Sequence, residues 1–120
     1  MARDPSFLLD ILESAKLILE YTKQVDKESF EQNSILQDAV IRRLTIVGEA
    51  TKRLSDEFRL RHPQIPWKQI AGMRDIVVHN YDQVLIDKVW EAIQQDIPNL
   101  IKQLQPLVPP EEDESNVPEG

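Results

Sequence analysis

Cysteine is missing altogether from the 120 residues, so neither a disulfide framework nor a thiolate metal site is available, and nothing in the chain asks for an oxidising compartment. Histidine occurs only at His62 and His79. Neither has a second histidine at ligand spacing, and His62 stands beside a proline in a predicted loop, which argues against a metal centre. Apolar runs are short, well below the ~20 residues that span a bilayer. The opening MARDPSFLLDILESAK is interrupted by Asp10, Glu13 and Lys16 too soon for a secretory signal. No stretch alternates for long enough to build a sheet, and no segment repeats. The expectation is a cytoplasmic protein with no metal, no cofactor and no membrane partner.

What is present fits one modest core: 41% of the residues are hydrophobic and 29% charged. The net charge of −7 is distributed unevenly. Residues 42–74 carry eight basic side chains against three acidic ones, whereas residues 106–120 carry five acidic and no basic ones. A local basic patch matters more to a polyanion than the total does. Arg42, Arg43, Lys52 and Arg53 are therefore candidate RNA-binding residues, set against the plainer reading that they solvate a helix face.

Helical spacing dominates. Asp4 reads as an N-cap with Pro5 at the first helical position, followed by Leu8, Ile11, Leu12, Ala15, Ile18, Leu19 and Thr22, to an end near Lys23. VDKESFEQNS has no sustained period and reads as a connection with one turn at most. A long helix from Ile35 carries Leu36, Val40, Leu44, Val47, Thr51 and Leu54, widened by Ile35, Ala39, Ile46 and Ala50. Gly48, costly in a helix interior, leaves room for another backbone to approach. Ser55 can cap a short helix to Leu60, and Pro66 fits the first turn of the next. A last helix is expected over about 87–105, kinked or broken at Pro98. The predicted fold is all-α: an up-and-down helical bundle over residues 1–105 and a disordered acidic tail over 106–120. The wide stripe on the long helix also predicts a homodimer.

The chemistry gathers in GMRDIVVHNYD, residues 72–82. On a straight α-helix Arg74 and His79 lie about 140° apart, whereas Asp75 and His79 form an i, i+4 pair that can meet. An ionised Asp75 beside the imidazole favours its protonated form, as does a helix C-terminus that Asn80 can mark. Ile76, Val77 and Val78 are expected to anchor the segment in the core. Such a set suits RNA cleavage without a metal: the 2′-OH attacks its neighbouring phosphate while one group takes a proton and another returns one. Arg74 would steady the phosphoryl oxygens through its planar fork. A second histidine would come from a second copy of the chain. The residues alone equally fit a surface arginine and a histidine capping its helix.

The runs RDPSFLLDILES, QDAVIRRLTIVGEATKRLS, IPWKQIAGMRDIVVHNY and VWEAIQQDIPNL, in that order, resemble the HepT family of HEPN-domain ribonuclease toxins, over nearly everything but the tail. Arg74, His79 and Tyr81 match the family's R-x4-H-x-Y motif at all three positions. The resemblance implies a HEPN-like bundle that pairs as a dimer with the motif near its interface. It makes Arg74 and His79 the catalytic pair of a metal-independent endoribonuclease acting on tRNA or mRNA, with Asp75 in support. It makes Tyr81 the acceptor of AMP from an MntA-type nucleotidyltransferase antitoxin. A second class of function stays open: a non-catalytic module that binds nucleotide or docks the nucleotidyltransferase.

Overall fold

The structure, a computed structural model, describes residues 3–78 and 82–108, apart from the side chains of 76–78. Among the described residues every regular element is helical: α1 (Asp4–Tyr21), α2 (Lys27–Glu31), α3 (Ser34–Arg53), α4 (Asp56–Arg61), α5 (Trp67–Ala71), α6 (Gln83–Glu91) and α7 (Ile97–Leu104). Two further segments, Gly72–Val78 and Gln105–Leu107, are 3₁₀ turns. None of these helices is long and apolar enough to cross a membrane.

α1 and α3 form the spine. Asp4 meets Ser55 at one end and Ser14 faces Arg43 further along, so the two helices run antiparallel. Leu8, Ile11, Leu12, Ala15 and Ile18 of α1 are buried against Val40, Ile41, Leu44 and Val47 of α3, as the spacing predicts. α7 packs on α1, and α5 with the turn after it packs on α3. The second apolar set of α3 divides: Ala50 is buried, Ala39 and Ile46 are half-buried, and Ile35 stands in solvent at 81% exposure. Gln37 is a buried polar residue that the pattern did not mark. Its amide donates to the carbonyls of Phe30 and Glu31, closing the open end of α2.

The caps decide where the helices begin, and here the structure departs from the sequence reading in three places. Asp4 does not cap α1; it lies inside the helix, and its carboxylate accepts from the backbone N–H of Ser55 at 2.8 Å and from the Ser55 hydroxyl at 2.7 Å. A carboxylate thus joins the start of α1 to the α3–α4 corner. The stretch after Val25 holds a true short helix, because Asp26 accepts from Ser29 N–H and Phe30 is fully buried beside Trp90, ring centres 5.4 Å apart. The last helix starts earlier than position 87, since Asp82 caps Gln83–Glu91 through Leu85 N–H.

Pro98 does not break that last helix. It lies at the start of α7, and the residues before it, Ala92–Asp96, take one wide π turn in which Ile97 N–H reaches back five residues to the Ala92 carbonyl. Proline lacks the donor for the carbonyl four residues back and its ring crowds that group; widening the turn relieves both. Val89, Ile93, Ile97, Leu100 and Leu104 stay buried throughout. Leu107 and Val108 pack half-buried against the same core, and the expected tail beyond Val108 lies outside the described residues.

Candidate active site

Ser55 caps α4 through Phe58 N–H, as predicted, and the chain then turns at His62 into α5. Trp67 holds this turn: its indole N–H donates to the His62 carbonyl at 2.9 Å and the Arg59 carbonyl at 3.2 Å. Its ring meets Phe58 at 5.9 Å, and Phe58 in turn packs on His62 at 4.8 Å. Ile65, Trp67, Ile70 and Met73 are buried. The buried side of this segment fixes which way its next residues face.

After Ala71 the winding tightens. Over Gly72–Val78 the chain is a 3₁₀ helix rather than α, so it advances about 120° per residue instead of 100°. The 100° step that α geometry gives between Arg74 and Asp75 does not carry over to this segment. Arg74 is partly exposed, 41% for its side chain, and its Nε stands 3.6 Å from Asp75 Oδ1. Among the described residues Asp75 pairs with Arg74; its expected pairing with His79 falls on a residue outside them. His79, Asn80 and Tyr81 lie outside the described residues, as do the side chains of Ile76, Val77 and Val78 that were expected to anchor the segment.

Gly48 sets the position of Arg74. A Cβ placed on Gly48 would stand 2.7 Å from Arg74 N, 2.8 Å from Arg74 Cβ and 2.8 Å from the Ala71 carbonyl oxygen, closer than real carbon atoms approach. The tight turn lies directly on the backbone of α3 because position 48 has no side chain. The sequence marked Gly48 as a place of close approach; the partner is the motif itself.

The four basic residues of α3 do not share one face. At 100° per residue Arg42 and Arg53 lie about 20° apart, Arg43 about 100° to one side and Lys52 about 80° to the other. Arg42, Lys52 and Arg53 are exposed. Arg43 turns toward α1, donating a long hydrogen bond of 3.5 Å to the buried Ser14 hydroxyl. Lys52 follows Gly48 by one helical turn and so stands on the side where Arg74 rests. Among the described residues no three His, Cys, Asp or Glu side chains are grouped to hold a metal ion.

A cleft of about 360 Å³ opens along the same segment, between Ile70 and Met73 on one wall and Asp96, Asn99 and Lys102 on the other. Burial, with repulsion from Glu91, pushes the Asp96 carboxyl above its ordinary range.

Comparison with known proteins bears on this arrangement. Residues 11–107 match the family model described as Ribonuclease HepT-like. A protein of Methanocaldococcus jannaschii named "Putative RNase MJ1380" is 38% identical over 100 residues, covering 83% of this chain and 92% of its own. A Thermococcus cleftensis protein named "Probable ribonuclease HepT" is 42% identical over 94 residues, 78% of this chain and 86% of its own. A longer M. jannaschii protein, "Gamma-glutamylcyclotransferase and putative RNase MJ0434", is 47% identical over 98 residues, 82% of this chain and 44% of its own. No solved structure gives a significant match.

Proposed function

The chain belongs to the ribonuclease HepT-like family, and from that premise we propose that it is the metal-independent endoribonuclease of a toxin–antitoxin pair, silenced when an MntA-type nucleotidyltransferase adenylates Tyr81. One observation carries the reading: the motif arginine, Arg74, is partly exposed on a tight turn pressed against Gly48, so the protein spends a glycine on holding it.

In this reading Arg74 binds the scissile phosphate through its guanidinium fork. His79 works as the proton carrier, one copy from each protomer of a homodimer. One imidazole takes the 2′-OH proton as the 2′ oxygen bonds to phosphorus. The other, protonated, gives its proton to the departing 5′ oxygen, so a 2′,3′-cyclic phosphate and a 5′-hydroxyl result. Arg74 offsets the charge that builds on the non-bridging oxygens. Adenylation of Tyr81, two residues after His79, adds a charged, bulky group where the strand must lie and excludes it.

Expression without the partner should arrest growth, and Arg74→Ala or His79→Ala should restore it. Purified protein should cleave RNA equally well with and without a chelator. Co-expression with the nucleotidyltransferase should add the mass of AMP, and Tyr81→Phe should abolish that addition. Equal growth of the wild type and both motif variants removes the nuclease reading; a stable complex with the nucleotidyltransferase and no cleavage fits the accessory module instead.

A further inference from the structure

We propose that Lys52 joins Arg74 in one phosphate-binding site for the backbone of a single RNA strand, at the edge of α3. This rests on the reading of Arg74 as a phosphate clamp. Gly48 again supplies the geometry. A Cβ on Gly48 would stand 2.8 Å from Arg74 Cβ, and side chains four apart on a helix have Cβ atoms about 5–6 Å from each other, so the Cβ atoms of Lys52 and Arg74 lie within about 9 Å. Both side chains are long enough to bring their charged ends to one phosphate or to two neighbouring ones.

Direction on the helix favours this pair over the other exposed cations of α3, which like Lys52 have no carboxylate partner among the described residues. Lys52 is exposed, and among the described residues no carboxylate pairs with it. Asp75 approaches Arg74 at Nε, 3.6 Å away, on the inner side of a guanidinium whose two terminal nitrogens form the outer end of its fork. Between Phe58 and Arg74 the chain has no Asp or Glu while it carries Arg59, Arg61, Lys68 and Arg74. This stretch holds α5 and the first residues of the turn, up to Arg74, and both elements pack on α3; the nearest carboxylate in sequence after it is Asp75. Arg53, the neighbouring cation, points about 100° away, and Arg42 shares its direction. A strand held by Arg74 therefore runs past Lys52 and not over the outward face of α3.

Binding of a short 2′-O-methyl oligonucleotide, which cannot be cleaved, tests this on the full chain apart from any turnover. Lys52→Gln should weaken it about tenfold and lower the dependence of log affinity on log salt by about 0.7, the share of one single-strand phosphate. Arg53→Gln, the same change of charge one residue away, should alter affinity less than about twofold, and Lys52→Arg should preserve it. An unchanged thermal midpoint checks that Lys52→Gln leaves the fold intact. Equal weakening by Lys52→Gln and Arg53→Gln, or none by the first, overturns the assignment. The two readings fail separately. A wild type that binds through Lys52 but cuts no RNA keeps the phosphate site and loses the nuclease; one that cuts RNA and ignores Lys52→Gln does the reverse.

Discussion

The backbone nitrogen of Arg74 sits 2.7 Å from the point where any replacement for Gly48 would place its Cβ. Two of the three neighbours at that point, the Arg74 N–H and the Ala71 carbonyl, are backbone groups, and the third, Arg74 Cβ, is fixed to that backbone, so none can swing aside like the end of a side chain. Gly48→Ala should therefore push the motif segment off α3. Overpacking of this kind costs about 1–3 kcal/mol, and a displacement near 1 Å is enough to cost about 100-fold in rate. Denaturant unfolding and a cleavage assay together check this: far-UV helicity stays, stability falls, and cleavage falls much further than stability does. Full activity in Gly48→Ala would show that Arg74 does not depend on the contact.

Trp67 ties the α4–α5 corner through a single N–H shared between two carbonyls. Trp67→Phe keeps most of the ring packing and removes that donor. The expected loss is about 1 kcal/mol, read as a lower urea midpoint with an unchanged slope. A slope that falls as well would mean the corner had opened rather than lost a bond.

Acid should loosen the joint between α1 and α4. Burial tends to raise the Asp4 carboxyl, but the hydrogen bonds from Ser55 N–H and hydroxyl, helped by the charge of Arg61, hold it below its ordinary 3.8. A carboxyl lowered in the folded state stabilises fully above 3.8, and that contribution disappears as pH falls through the lower folded-state value. Asp4→Asn should thus be less stable than wild type at pH 7, and the gap should close in strong acid. A gap that is constant with pH would assign the effect to shape instead of charge.

Asp96 carries the opposite sign. Its carboxyl is raised by burial and by Glu91, so ionisation works against the fold as pH climbs above 3.8. Asp96→Asn should raise the thermal midpoint at pH 7 by about 1–2 °C once solvent screening is allowed for, and the gain should vanish below pH 3.8. A lower midpoint at neutral pH would sink this account.

Gln24 ends the turn after α1 with a positive φ of 63°, a conformation that costs a residue with a Cβ about 1 kcal/mol. Gln24→Gly should recover part of that, about 0.5 kcal/mol in denaturant unfolding, because the glycine's looser unfolded state takes back the rest.

Some of this architecture is legible along the chain. Ser55 announces α4, the apolar spacing of Leu8 to Ile18 gives α1 its buried face, and Gly48 advertises a close contact. Those signals are local, since each depends on a residue and its neighbours within a turn. Asp4 misleads because its partner, Ser55, is 51 positions away; locally an Asp before a Pro looks like a cap. The tightening of residues 72–78 from α to 3₁₀ goes unseen for the same reason, as the contact with Gly48 accompanies it and comes from another helix. The basic residues of α3 look like one patch in a row of letters, yet the helix turns them to different sides and only Lys52 reaches the motif's side. The pairing of Arg74 with His79 rests on the family motif, since His79 lies outside the described residues.

The wide turn at Ala92–Asp96 links two kinds of change during descent. Five residues fill a space that four fill in an ordinary helix, so losing one of them leaves α6 and α7 in phase. Loss alone, however, would close the turn onto the ring of Pro98. Loss together with replacement of that proline would yield one unbroken helix with the same buried side. Relatives are expected to carry the extra residue and the proline as a pair or to carry neither.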